Sequence, residues 1–302
     1  MEPQERFIPS TDDHQIPLLC WLPDQPVAVL VIAHGMAEHA ARYQRLAKWL
    51  NERNVAVFAI QHRGHGPHCL PDTQGHYRDA RGWAAVIGDL NEAIRYAGSL
   101  FQGLPLNLFG HSMGSFIAQA YTQQHGDQID SLLLCATNRI DRVKLGSALG
   151  LVKVIGTFRG KRYRSALVDN LSFGTFNKAF APNRTSHDWL SRDERQVDRY
   201  LDDPLCGFHC TVGLWGDFIG GMLSLKPRRW RRDLPVHLMA GDQDPVGEMG
   251  AGVRRHAANL RKAGVAVASE RLFPGARHEL VNETIADEVW QHIHDCLCLV
   301  KP

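Results

Sequence analysis

The ten residues from Leu106 to Ser115 constrain the fold of this chain more than any other stretch. Leu106 to Phe109 is short and mostly apolar, which predicts a buried strand, and the apolar spacing after Gly114 predicts a helix. The turn between them, Gly110-His-Ser-Met-Gly114, has the pattern G-x-S-x-G. Such a turn crowds the backbone, so glycines are needed on both sides, and it raises the serine hydroxyl above the sheet edge. We therefore predict that Ser112 is a nucleophile at the start of a helix, where backbone N–H groups stabilise negative charge.

Buried strands and helices alternate through most of the remaining chain. Residues 27–33 and 55–60 are apolar without alternation, which indicates strands that are covered on both faces. We expect an α/β fold, with a mostly parallel central sheet and helices on both of its faces. Further strands are predicted at 16–21, 131–135, 235–240 and 265–273, and helices at 42–53, 80–100, 113–125, 247–263 and 283–300.

The alternation stops in the middle of the chain, where no strand–helix–strand unit is recognisable. Helices are predicted there at 143–155, 191–201 and 212–223, among turn-rich and aromatic-rich segments such as 170–177. We expect a first core segment at 1–137, a helical cap inserted at 138–227, and a second core segment at 228–302. Because the cap leaves the sheet after one strand and returns before the next, it should overhang the carboxyl ends of the strands, where such sheets bind ligands.

The composition of the 302 residues excludes several classes of protein. A net charge of +2 is too small to indicate a nucleic-acid partner. No apolar run approaches the roughly 20 residues that span a bilayer, and the polar first residues lack the apolar centre of a signal peptide. The seven cysteines are odd in number and irregularly spaced, which favours reduced thiols in a cytoplasmic protein.

A serine nucleophile needs a base within reach and an acid behind that base. In a sheet of this kind both are expected after later strands, in the order acid and then histidine. The first late strand end offers Asp242 and Asp244, and the second offers His278 in a short loop that contains glycine and proline. We favour Asp244 as the acid, whereas Asp242 would brace the turn or cap the next helix.

Acyl transfer also requires hydrogen-bond donors for the oxyanion. One donor should be the backbone N–H of Met113, directly after the nucleophile. The second should come from the loop after an early strand, and there Met36 is the best candidate. His34, in the same loop, is expected to be structural.

Five motifs along the chain resemble the α/β-hydrolase superfamily, and within it the monoacylglycerol lipase and lysophospholipase branch, whose members are often labelled serine aminopeptidase-like. The motifs are His34–His39 with Arg42-Tyr43, His62–Gly66, Gly110–Gly114, Gly241–Val246 and His278–Glu283. The cap is similar to that of bacterial members at Pro182–Thr185, Asp188–Asp193 and Asp202–Phe208. The resemblance implies Ser112, Asp244 and His278 as the catalytic triad, with Met36 and Met113 as oxyanion donors. The sequence departs from the family pattern at Gln61, Ser115 and Pro67-His68.

The resemblance implies a serine ester hydrolase that cleaves monoacyl lipid esters through an acyl-enzyme on Ser112, with no cofactor and no metal. Gly35, His111, Phe218 and Met222 are assigned to substrate contact, although most apolar cap residues should form the cap's own core. Serine aminopeptidase-like or thioesterase activity on the same triad is the alternative, and a non-catalytic binding protein on the same scaffold is a further one.

The basic run from Arg228 to Arg232 is expected to be a solvated hinge, with weak attraction to anionic membranes as the second interpretation. The oligomeric state is not predicted.

Overall fold

Eight strands form one sheet in the computed structural model, which describes residues 2–300. The strands are β1 Gln4–Pro9, β2 Gln15–Trp21, β3 Ala28–Ala33, β4 Val55–Ile60, β5 Leu106–His111, β6 Ser131–Cys135, β7 Val236–Gly241 and β8 Val267–Phe273. Their spatial order is β1-β2-β4-β3-β5-β6-β7-β8. All pairs from β4 across to β8 are parallel, whereas β1 with β2 and β2 with β4 are antiparallel. The predicted mostly parallel α/β sheet is confirmed.

Helices cover both faces of this sheet. They are α1 Gln44–Asn51, α2 Gly82–Leu100, α3 Met113–His125, α4 Arg142–Arg159, α5 Ala166–Asn177, α6 Glu194–Asp202, α7 Val212–Ser224, α8 Ala251–Lys262 and α9 Ala286–Asp295. Along β3, Val29 and Val31 belong to one hydrophobic core, and Leu30 and Ile32 belong to the other. The first core is completed by α2, α3 and α8, and the second by α1 and α9. A strand buried on both faces has no reason to alternate polar and apolar residues, which explains the continuous apolar segments.

The segment between β6 and β7 is helical and lies over the core. Helices α4 and α7 pack against each other, and α7 also packs on α2 and α3. We call residues 138–227 the cap segment, and its division from the core at those residues stays a prediction. In the described part of the chain, no helix combines the length and the apolar composition needed to cross a membrane.

Several element predictions were wrong, each for a local reason. Strand β1 was missed because all but one of its side chains are exposed, so it carries no apolar signal. Residues 170–177, expected to be turn-rich, lie in α5, which begins where the Ser165 side chain accepts a hydrogen bond from Val168 N. Helix α8 starts later than predicted, because Glu248, Met249 and Gly250 all have positive φ angles.

The last helix is also shorter than predicted, ending at Asp295 rather than near Val300. The chain beyond it is tied to the sheet instead. The Asn107 side chain accepts a hydrogen bond from Cys298 N (2.7 Å) and donates one to Cys298 O (3.2 Å). This link holds the tail in a path that is not helical.

Candidate active site

The turn between β5 and α3 holds Ser112 in a strained backbone conformation. Its φ and ψ angles are 49° and −118°, a region that residues other than glycine rarely adopt. The Ser112 N–H donates to the carbonyl oxygen of Cys135, 3.0 Å away, which ties the turn to the neighbouring strand. A Cβ atom on Gly110 would lie 2.5 Å from the carbonyl oxygen of Gly114, and one on Gly114 would overlap the carbonyl oxygen of Ala33. Both glycines of the motif are therefore required by close packing.

His278 and Asp244 meet at the carboxyl end of the sheet. The Nδ1 atom of His278 lies 3.0 Å from each carboxylate oxygen of Asp244, and both residues are buried. Asp244 also accepts a hydrogen bond from Val246 N (2.9 Å), which fixes its rotamer. Asp242 points elsewhere and accepts a hydrogen bond from Gly275 N (2.8 Å), so it braces the turn after β8. Of the two candidate acids, the structure brings Asp244 to the histidine.

The histidine ring lies next to the serine turn. It packs against the ring of His111, the residue before Ser112, with a centroid distance of 4.9 Å. On another side it packs at 4.9 Å against Trp189, which comes from the cap segment. Among the described residues no hydrogen bond joins Ser112 Oγ to His278. In the absence of substrate, serine–histidine contacts of this kind are often long and tighten only when substrate binds.

The titration of His278 differs from that of the histidine beside it. Burial disfavours the imidazolium, but the charge and hydrogen bonding of Asp244, together with the charges of Glu279 and Glu38, outweigh burial, so the pKa of His278 is raised above its ordinary 6.5. For His111, burial and the neighbouring His278 lower the pKa to about 3. A carboxylate partner thus makes His278 the stronger base of the two.

The loop after β3 carries Met36, and its shape is set by a buried glutamate. Glu38 Oε1 accepts hydrogen bonds from Gly35 N (2.5 Å) and from the hydroxyl of Tyr43 (2.9 Å). Among the described residues the backbone N–H groups of Met36 and Met113 donate to no acceptor. Two free N–H groups beside a serine are what an oxyanion hole provides.

A buried ion network connects this loop to the loop of the candidate base. Arg42 Nε lies 3.4 Å from Glu38 Oε2, and Arg42 Nη2 forms an ion pair with Glu279, the residue after His278. Burial opposes the charge of Arg42, but Glu279 and Glu38 raise its pKa. Because the three side chains are at most 8% exposed, the attraction between them is weakly screened. The network therefore holds the two loops in a fixed relation.

Two buried histidines complete the support of the same loop. His34 Nδ1 lies 2.7 Å from Gly35 O, and His34 Nε2 accepts a hydrogen bond from His62 N at 3.1 Å. His65 Nε2 accepts a hydrogen bond from Ala37 N at 3.2 Å. Burial first, with other histidines adding, lowers the pKa of His34 well below its ordinary value, and burial lowers that of His65 to about 4. Both stay neutral at pH 7 and support the loop through hydrogen bonds to its backbone.

Ser112 opens into a cavity of about 210 Å³ between the core and the cap segment. Its apolar lining comprises Met36, Met113, Phe116, Leu145, Phe173, Phe176, Trp189, Trp215, Phe218, Met222, Pro245 and Val246. Phe218 and Met222, assigned to substrate contact from the sequence, are thus on the wall. Gly35 and His111 are not among the described lining residues; a Cβ on Gly35 would lie 3.1 Å from the His111 ring, so both pack behind Ser112. Sequence reasoning missed Trp189, whose only signal was its place in a family-like cap motif.

The cap segment docks directly on the loop that carries Met36. The carbonyl oxygen of Ala37 accepts hydrogen bonds from Gly207 N (2.9 Å) and from the hydroxyl of Tyr200 (3.1 Å). His39 Nε2 lies 2.8 Å from Asp203. Hydrogen bonds therefore join the cap segment directly to the candidate oxyanion loop.

Comparison with known proteins agrees with this geometry. The family model described as Hydrolase_4, serine aminopeptidase, S33, matches residues 24–285. The chain is 29% identical over 267 residues to a monoacylglycerol lipase of Mycolicibacterium smegmatis, an alignment that covers 87% of this chain and 85% of the relative. It is 25% identical over 226 residues to the monoglyceride lipase of Rattus norvegicus, covering 74% of this chain and 68% of that one.

Among solved structures, a thermostable carboxyl esterase from Bacillus coagulans, in complex with glycerol, superposes with a TM-score of 0.88. The two are 27% identical, and the match covers 98% of this chain and 97% of the esterase. The fold, the order of the motifs and the family match lead to one conclusion. The chain belongs to the serine aminopeptidase S33 family of α/β hydrolases.

Proposed function

We propose that this protein is a serine ester hydrolase that cleaves monoacyl lipid esters, such as monoacylglycerols and lysophospholipids, through an acyl-enzyme on Ser112. One observation carries the proposal. Ser112 stands on a strained turn at the floor of an apolar cavity, and the buried His278–Asp244 pair packs against the residue beside it. The monoacylglycerol lipase and carboxyl esterase relatives support the same class of substrate.

Each group has a defined part in the proposed reaction. Ser112 Oγ attacks the ester carbonyl while His278 Nε2 takes the hydroxyl proton, and Asp244 orients the imidazole through Nδ1. The oxyanion that forms accepts hydrogen bonds from Met36 N–H and Met113 N–H. His278 then gives its proton to the departing alcohol, which leaves an ester on Ser112. Water, deprotonated by His278, attacks that ester, and His278 returns the proton to Ser112 Oγ as the C–O bond breaks and the fatty acid is released.

The charged residues at the edge of the cavity favour esters over peptides. A peptidase that removes N-terminal residues needs an anion to hold the substrate's free amine. Two carboxylates border the cavity, but Glu248 is paired with Arg139 at 3.1 Å, and Asp141 caps α4 and lies 3.2 Å from the same arginine. Apart from Asn138, Lys144 and Ser172, the remaining wall is apolar, which suits an acyl chain.

A panel of substrates tests this proposal. We expect purified protein to hydrolyse p-nitrophenyl esters, a monoacylglycerol and lysophosphatidylcholine, and to leave aminoacyl p-nitroanilides intact. Acyl-CoA is included in the panel to test for thioesterase activity. Ser112→Ala should abolish every activity. Ser172→Ala is the matched control, because that hydroxyl borders the same cavity but donates to Val168 O and Asp169 O. We expect it to lower the rate by no more than a few-fold.

Three results would contradict the proposal. Cleavage of the anilides in preference to every ester would assign the site to peptides. Ester hydrolysis that persists in Ser112→Ala would assign the chemistry to another residue, and a lack of any turnover or phosphonate labelling would leave a binding protein on a hydrolase scaffold.

We also propose that the protein works in the cytoplasm. Within residues 2–300 all seven cysteine thiols are free, and five of them are buried. Unpaired thiols in this number fit a reducing compartment. Intact mass of alkylated protein from its native cells should show seven modified thiols under denaturing conditions, and a lower number that rises on reduction would place the protein elsewhere.

A further inference from the structure

A second cavity lies beside α3 and α8, at the hinge of the cap segment, where residues 140–142 and 225–229 connect the cap to the core. Its volume is about 430 Å³, within the range of small-molecule sites. The base is formed by His256 of α8 and Gln119 of α3, which are buried and hydrogen-bonded to each other at 3.0 Å. Apolar walls come from Ile140, Leu225 and Leu260.

Four cations border this cavity: Arg142, Lys226, Arg228 and Arg229. The lining contains no carboxylate, and none of the four forms an ion pair with one in the part of the chain that the structure describes. Arg142 Nη1 instead donates to the carbonyl oxygen of Leu223 at 2.9 Å, across the two connections between cap and core. Burial lowers the pKa of His256 to about 4, so the cations alone set the charge of the cavity.

The basic run does not behave as a uniform solvated hinge. Arg228 and Arg229 border the cavity, whereas Arg231 pairs with Asp233 at 3.1 Å. Arg232 donates to the carbonyl oxygen of Ala263, and Trp230 between the two pairs is buried. The run therefore divides: Arg231 and Arg232 are held by Asp233 and by a backbone carbonyl, whereas Arg228 and Arg229 border the cavity without a carboxylate partner among the described residues.

We propose that the hinge cavity binds an anionic amphiphile, a single aliphatic chain with a carboxylate or phosphate head. The apolar walls match the chain, and the arginines match the head, because guanidinium groups bind carboxylate and phosphate through paired hydrogen bonds. The site is separate from the cavity of Ser112, since the two share no lining residue among those described. It does not depend on the proposed function of that cavity.

Titration calorimetry with monomeric decanoate, decyl phosphate, decanol and inorganic phosphate tests the site. We expect both amphiphilic anions to bind, and decanol and inorganic phosphate to bind at least about tenfold more weakly, since each lacks one half of the match. Decanoate stands for a free fatty acid and decyl phosphate for a phospholipid head, so their relative affinity distinguishes these two sources.

Charge reversal locates the site. In Arg228→Glu/Arg229→Glu, decanoate binding should fall about tenfold or more. Arg195→Glu/Arg254→Glu is the matched control, because it makes the same change of charge at two exposed arginines away from the cavity, and it should bind like the parent. Chain binding in the Ser112 cavity contributes equally to all three proteins, so the difference reports the hinge.

Three results would overturn the proposal. Equal decanoate binding by the two double variants would show that Arg228 and Arg229 do not form a binding site. Equal binding of decanol and decanoate to the parent would make the cavity merely apolar. Binding to phosphatidylglycerol vesicles without binding to monomeric decanoate or decyl phosphate would make the basic residues a membrane-surface patch. Thermal melts of both variants should match the parent, since the substituted side chains are exposed.

Discussion

The residues behind Ser112 and the surface of the cap segment differ in which side chains are buried and which are exposed. Below the candidate site, charged side chains are buried and paired: Glu38, Arg42 and Glu279 are at most 8% exposed. On α4 of the cap, apolar side chains stand in solvent, with Val143 and Phe158 each 82% exposed. Burial of charge is costly unless the geometry is excellent, so a buried network indicates loops that must hold one position.

The loops behind Ser112 and the cap segment therefore have different roles in the molecule. The loops that carry Met36 and His278 are fixed by ion pairs and hydrogen bonds, as preorganised acyl-transfer chemistry requires. The cap contributes aromatic walls, and hydrogen bonds join it to the core at Ala37, at Gly75 through Thr211 N, and at Glu279 N through Leu190 O. Substitutions under the serine should therefore change the rate of chemistry, whereas substitutions in the cap should change substrate choice. The following variants test this contrast in order of expected effect.

Asp244→Asn should have the largest effect, a fall in kcat of roughly ten-thousandfold, the scale known for loss of the orienting acid in a serine triad. The pH profile supplies a second readout. His278 must be neutral to accept a proton, and Asp244 raises its pKa, so the acidic limb of kcat/KM should lie above pH 6.5 in the parent. Without the carboxylate, burial is opposed only by the more weakly acting Glu279 and Glu38, and the limb should move to lower pH. A limb that stays in place would mean that Asp244 does not set the titration.

Asp242→Asn is the matched control for that measurement. Its side chain braces a turn through Gly275 N and does not contact His278. We expect its pH profile to coincide with that of the parent and its kcat to change by only a few-fold.

Glu38→Gln should act on the ion network without removing the side-chain oxygen that accepts from Gly35 N. Arg42 would then keep Glu279 as its one carboxylate, and we expect kcat to fall about 10- to 100-fold with little change in KM. The free energy of unfolding should fall by about 3 kcal/mol, the usual cost of breaking a buried ion pair from one side. A rise in KM at constant kcat would instead place Glu38 in substrate binding.

Phe218→Ala should alter selectivity more than chemistry. The ring belongs to the cavity wall, and its removal should lower kcat/KM for decanoyl esters about tenfold relative to acetyl esters. The ratio of the two substrates is the proper measurement, because loss of folded protein cancels from it. An unchanged ratio would mean that the acyl chain lies elsewhere.

Phe158→Ser should have the smallest effect. Its side chain is 82% exposed on α4, so the free energy of unfolding should change by no more than about 0.5 kcal/mol. Activity on a water-soluble acetyl ester should equal that of the parent. Destabilisation by several times that amount would show that the exposed apolar face of the cap contributes to folding, and the cap would then not differ from the core in this respect.

Sequence reasoning predicted the elements whose physics is local. Strand β3 and strand β4 are buried on both faces, and helix α3 follows a motif that specifies its start, so composition and spacing identified them. Strand β1 could not be found in this way, because it is exposed and exists through pairing with β2.

The candidate site divides in the same manner. The order of the motifs along the chain indicated Ser112 and His278. Two aspartates, Asp242 and Asp244, follow β7, and only the fold shows which one contacts the histidine. The Arg42–Glu279 pair joins residues 237 positions apart, and nothing local to either residue predicts it. The aromatic wall is equally non-local, because it depends on how the cap segment packs over the core.

In the proposed mechanism, Ser112 carries the acyl group during turnover. Rapid mixing of the protein with p-nitrophenyl decanoate, an acid quench within milliseconds, and mass analysis of the digested protein test it directly. We expect a burst of p-nitrophenol and a peptide that contains Ser112 with the mass of one decanoyl group added. Turnover without a burst and with every peptide around Ser112 unmodified, or an adduct on another residue, would contradict it.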